Sequence, residues 1–70
     1  MNLGAFSILL RQRVIVNTKS GDAVRGVLFQ KKGPLIVLKN AEQLVEGREP
    51  IPVDGSVVLE RAEIAFYQVL

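Results

Sequence analysis

The chain is predicted to be all-β: a short N-terminal helix, then five short, strongly bent strands that close into a small barrel. Three observations predict this. Apolar and β-branched residues alternate or run together in five short segments from Val14 onward. Turn residues interrupt those segments at Lys19–Asp22, Lys32–Pro34 and Asp54–Gly55. A glycine, Gly26, stands inside the second segment, where a strand that serves both sides of a tiny barrel must bend.

Each element has its own reason. The N-terminal segment, residues 1–12 of a single domain spanning 1–70, holds the helix. Over residues 2–12, Leu3, Phe6 and Leu10 recur at helical spacing behind Asn2, a capping residue type. Val14–Thr18 is β-branched and alternates, so it is the first strand. Lys19–Asp22 is a turn, with Gly21 supplying positive φ. Ala23–Lys31 is the second strand, with Gly26 as its bend, and Lys32-Gly33-Pro34 ends it. Leu35–Leu38 is continuously apolar and needs cover on both faces. Residues 41–55 are the least regular, since Gly47, Pro50, Pro52 and Asp54-Gly55 demand bends. Ser56–Leu59 and Glu63–Val69 are the last two strands, joined by a tight turn at Glu60-Arg61-Ala62.

Composition points to self-association. A 70-residue chain buries only about 60% of its unfolded surface, so its stability is marginal without a staple. There is no Cys and no His, hence no disulfide and neither of the commonest zinc ligands. Hydrophobic residues make up 49% of the chain and six glycines add to that, above the usual ~45–50% with glycine counted. Partner subunits are therefore expected to cover part of this surface. Val57, Val58 and Leu59 break alternation, so both faces of their strand need cover. Phe66 and Tyr67 are adjacent and point to opposite faces, one to the core and one to a neighbour. These five residues are the expected oligomer interface.

Charge is divided. Residues 1–40 carry seven basic side chains against Asp22, whereas residues 41–70 carry two against six acidic ones. Such asymmetry fits a basic surface for nucleic acid, subunits that meet basic side to acidic side, or plain solvation. Catalysis is not expected. Ser7, Ser20 and Ser56 have no base to activate them. Gly21 and Gly26 are not followed by the Lys-Ser/Thr of a phosphate loop. Glu60 and Glu63 read as exposed turn charges. No cofactor or metal is expected. The apolar runs are too short to span a membrane, the N-terminus does not read as a signal peptide, and the cytoplasm is the default location.

The stretch Val14–Leu28, with its alternating apolar residues, Gly21, and Gly26 followed two later by Leu28, resembles the first motif of the Sm and Sm-like family. Leu38-Lys39-Asn40-Ala41-Glu42 resembles the end of that family's third strand, and Leu59, Ile64, Phe66 and Val69 fit its second motif. The resemblance implies an Sm-like (SH3-like) barrel. Its members join edge to edge into rings, fourth strand against the next subunit's fifth, and many bind single-stranded RNA. The chain departs from the RNA-binding pattern. Lys31-Lys32-Gly33-Pro34-Leu35-Ile36 lacks the Asp and the Met-Asn pair, and Glu60-Arg61-Ala62-Glu63 replaces the usual Arg-Gly. A basic groove formed by Lys31, Lys32 and Arg61 remains available to a nucleic-acid backbone. Residues 32–38 and 47–55 also resemble short Sm-like proteins of actinobacterial bacteriophages. The resulting expectation is a non-enzymatic, self-assembling barrel acting as a structural module, in a phage particle with other virion proteins as partners. The alternative is a homo-oligomeric ring that binds single-stranded RNA or another nucleic acid, and a third is an unrelated SH3-like barrel without a ring.

Overall fold

The structure is a computed structural model that describes residues 7–70. Its elements are β1 (Arg13–Thr18), β2 (Ala23–Lys32), β3 (Leu35–Leu44), β4 (Ile51–Pro52), β5 (Val57–Glu60), a 3₁₀ turn (Arg61–Glu63) and β6 (Ile64–Val69). They form one antiparallel sheet in the order β4-β3-β2-β1-β6, and β5 pairs with the first half of β3. The two halves of β3 thus serve two different partners, β5 through Leu35–Leu38 and β4 through Glu42–Gln43.

Two expectations are corrected. Among the described residues the element order holds no α-helix, so the part of the expected 2–12 helix that falls on them is not formed as such. Residues 1–6 lie outside the described residues, and residues 8–12 form a turn. The Leu10 amide donates to the Ser7 carbonyl at 3.2 Å and the Gln12 amide to the Leu9 carbonyl at 3.1 Å, three-residue spacings rather than the four of an α-helix. Arg11 has a left-handed φ of 65°, which turns the chain toward β1. The strand count is six rather than five, because β3 runs on to Leu44 and Ile51–Pro52 pairs with it. The polar second half of β3 hid this continuation from a hydrophobicity reading.

β2 and β3 carry two irregularities. Arg25 pairs with Glu42 and Val27 with Lys39, so Gly26 faces the two residues Asn40 and Ala41. Asn40 takes up the extra length with a φ of 51°. A Cβ on Gly26 would lie 3.0 Å from the Lys39 carbonyl oxygen and 3.3 Å from both Ala41 Cα and Cβ. Glycine stands here because β3 approaches the backbone closely. Gly21 is different: its φ is 93° with nothing within 4 Å, and its amide closes the β1–β2 turn onto the Thr18 carbonyl at 3.0 Å. The second irregularity reverses the first. Leu28 pairs with Leu38 and Gln30 with Val37, leaving Phe29 as the extra residue of β2.

The core is small. Val14, Val16, Leu28, Ile36 and Leu38 are fully buried, with Ala41 beside them. Leu9, Val24, Val57, Leu59, Ile64 and Tyr67 pack around this cluster. Each fully buried side chain of this size contributes about 1.5–3 kcal/mol. Among the described residues, no helix is long and apolar enough to cross a membrane.

Candidate nucleic-acid interface

The β2–β3 connection is a two-residue loop. Lys32 pairs with Leu35, and Gly33, at a φ of 58°, occupies the position that a type II′ turn reserves for glycine. The Arg61 amide donates to the Pro34 carbonyl at 2.8 Å, which ties the 3₁₀ turn to this hairpin tip. At the turn's other end the Lys19 amide donates to the Glu63 carbonyl at 2.8 Å. Three turns therefore meet at one end of the barrel. They hold the Arg61 backbone against the hairpin that carries Lys32, with Lys31 one register step inward opposite Ile36. Lys32 and Arg61 are exposed and Lys31 is half-buried. Lys19 joins this end through a backbone bond that no local sequence signal announces.

The electrostatics of this end are mixed. Glu60 and Glu63 flank Arg61 in sequence and are exposed. Burial raises the Tyr67 phenol above its ordinary value of 10.0, and the Arg61 guanidinium pulls in the opposite direction. The polar side chains of Lys31–Pro34 and Glu60–Glu63 are lysine, arginine and glutamate alone. Ammonium and guanidinium groups suit phosphate oxygens, whereas reading a base edge calls for donor and acceptor patterns matched to it. Among the described residues, no group of His, Cys, Asp or Glu is arranged to hold a metal ion.

The residues expected at an oligomer interface divide into two sets. Val57, Leu59 and Tyr67 pack on the chain's own core. Val58 and Phe66 are each 54% exposed and face outward. Within the described residues β5 pairs with β3 alone and β6 with β1 alone, so each has one free edge. A free apolar edge is an open template for another strand.

The fold recurs in solved structures. A heptameric archaeal Sm protein superposes with a TM-score of 0.81 at 18% identity, covering 96% of this chain and 97% of that one. The Pyrococcus abyssii Sm protein in complex with a uridine heptamer gives 0.82 at 22% identity, over 100% and 99%. The chain has the Sm fold. The P. aerophilum SmAP1 heptamer gives 0.82 at 21% identity over 100% of this chain and 95% of that one. No family model and no curated protein matches the sequence.

Proposed function

We propose that the chain assembles with copies of itself through the free edges of β5 and β6 into a closed ring that binds single-stranded nucleic acid at its basic end. The observation that carries this reading is the joining of the two edges by one short turn, hydrogen-bonded to the hairpin that bears Lys31 and Lys32. Two similar structures are heptamers, and another holds a uridine heptamer. In this reading Val58 and Phe66 are buried by the neighbouring subunit. Lys31, Lys32 and Arg61 hold phosphates, and the protein performs no chemistry. Because ammonium and guanidinium groups dominate the site, binding is tolerant of sequence and steep in salt. The virion role rests on sequence resemblance alone, so the nucleic-acid reading is preferred.

Light scattering after size exclusion, with and without a short oligonucleotide, tests both halves. The expected result is an oligomer that persists at high salt and binds oligonucleotide at low salt. Replacing Lys31 and Lys32 with Gln should flatten the salt slope by about one to two. A monomer at micromolar concentration removes the ring. An oligomer that binds no oligonucleotide at low salt leaves only a self-assembling module.

A further inference from the structure

Asp54 and Gly55 form the one Asp-Gly pair of the chain, and the sequence holds no Asn-Gly. The pair lies between β4 and β5, in a loop anchored on both sides. The Val53 amide donates to the Ala41 carbonyl at 2.9 Å, and Val57 pairs with Leu38. Asp54, Gly55 and Ser56 lie between these anchors, and all are exposed. Among the described residues, the Asp54 carboxylate has no hydrogen-bond or ion-pair partner, and the Gly55 amide donates no hydrogen bond. Gly55 has a φ of 75°, and a Cβ built on it would meet nothing within 4 Å. A carboxyl group and the amide that follows it are therefore both free to move against each other.

The other described Asp and Asn residues are held in place. Asp22 Oδ2 accepts from the Ser20 hydroxyl at 3.2 Å, and the next residue, Ala23, opens β2. Asn17 lies inside β1, where its Nδ2 donates to Gln68 Oε1 at 2.9 Å. Asn40 lies inside β3 and precedes the buried Ala41. In a paired strand the following amide cannot swing onto the side-chain carbon without local opening of the sheet.

We infer that Asp54-Gly55 is a self-modification site, where the main chain converts spontaneously to an isoaspartyl linkage. The Gly55 nitrogen attacks Asp54 Cγ, and a new N–Cγ bond forms. A carboxyl oxygen leaves as water and takes the amide hydrogen with it, so a cyclic succinimide remains. Water then adds at the main-chain carbonyl carbon of Asp54 and breaks its bond to the Gly55 nitrogen. The chain now runs through Cβ and Cγ, and the former main-chain carbonyl is a free carboxylate. One water leaves and one returns, so mass and oxidation state are unchanged. Glycine favours the attack because it has no Cβ to obstruct the approach. An exposed loop has the backbone freedom that the attack needs. The product adds a methylene to the main chain shortly before β5 begins at Val57. The inference is independent of the nucleic-acid reading.

The test ages the full chain at neutral pH, folded and in urea, and maps it by peptide mass spectrometry. A protease that cuts before Asp does not cut before isoaspartate, so progressive loss of cleavage at Asp54 measures the conversion. A carboxyl methyltransferase specific for isoaspartate, supplied with radiolabelled S-adenosylmethionine, should label the same peptide. The folded chain should convert at Asp54 ahead of Asp22, Asn17 and Asn40. Asp54→Glu should abolish the label on that peptide, because the longer side chain closes a larger, less favourable ring. That side chain is exposed, so the circular dichroism of the native sheet should stay as in the wild type. Undiminished cleavage at Asp54 in the folded chain overturns the inference, and conversion confined to urea does so too, since the fold then protects the site. Earlier conversion at Asp22, Asn17 or Asn40, or a label on that peptide that survives Asp54→Glu, also overturns it.

Discussion

Replacing Gly26 with alanine tests the packing of β2 against β3. The new methyl would meet the Lys39 carbonyl oxygen at 3.0 Å and Ala41 at 3.3 Å, against the ~3.5–4.0 Å of comfortable contact. β3 would have to retreat by roughly half an ångström at its bulge. The obstructing atoms are backbone and a short side chain, so no flexible group can swing aside. Overpacking of this kind costs about 1–3 kcal/mol. Loss of glycine's freedom in the unfolded chain returns about 0.4–1 kcal/mol. The net is a loss of about 1–2 kcal/mol, or a fall in Tm of roughly 5–15 °C for a domain of this size. Thermal and urea unfolding followed by circular dichroism measure it, at one fixed protomer concentration because assembly shifts apparent stability. Gly21 is the internal control, since its constraint is the dihedral and not the space around it. Gly21→Asn should be milder than Gly21→Ala because asparagine tolerates the left-handed region, while Gly26→Asn should be worse than Gly26→Ala. A Gly26→Ala protein as stable as the wild type would show that β3 yields freely, and that close approach is not why glycine stands there.

Val58→Lys and Phe66→Lys each change an outward side chain, so the folded protomer should lose less than about 0.5 kcal/mol. The mass measured by light scattering should nevertheless fall, and an unchanged mass at micromolar concentration would remove these edges from the interface. Tyr67 carries a phenol raised above 10.0 in the fold, so the folded state holds that proton more tightly than the unfolded chain does. Its contribution to stability is fully present below about pH 10 and declines above it; Arg61→Gln should raise the phenol further, read by tyrosinate absorbance. The Arg25 Nη2 to Glu42 Oε1 contact of 2.6 Å joins side chains that are 29% and 34% exposed. Glu42→Gln should therefore cost less than about 1 kcal/mol, with the difference shrinking as salt rises in urea unfolding.

The legible parts of the fold were those written in short-range pattern. The β-branched run at Val14–Thr18, the turn glycine, the apolar Leu35–Leu38 and the last two strands all follow from residue type and spacing. The second half of β3 was legible only by resemblance, as the end of a third strand over Leu38–Glu42, because Lys39-Asn40-Ala41-Glu42-Gln43 is held by pairing with β2 and β4 rather than by its own hydrophobicity. The turn over residues 8–12 was hidden for a related reason: bonds to Leu28 help fix it. At the candidate site, Lys31, Lys32 and Arg61 were visible as basic residues near turns. The meeting of Arg11 and Lys39 over the Phe29 ring was not visible, since three separate segments converge only once the β2–β3 bulges are formed. The division of Phe66 and Tyr67 between outside and inside was readable, but which went where depended on the β1–β6 register.

The hydrogen bond from the Arg61 amide to the Pro34 carbonyl makes the barrel end a mechanical joint. The three-residue turn beside it is all that separates the two free edges, so a change in the angle between β5 and β6 is carried straight into the hairpin bearing Lys31 and Lys32. In the proposed ring one neighbour takes the edge of β5 and another that of β6, and together they stiffen the basic loop before a ligand arrives. If the proposed ring forms, the conformational entropy that a lone protomer would lose on binding is already lost on assembly, and affinity gained this way needs no additional contact.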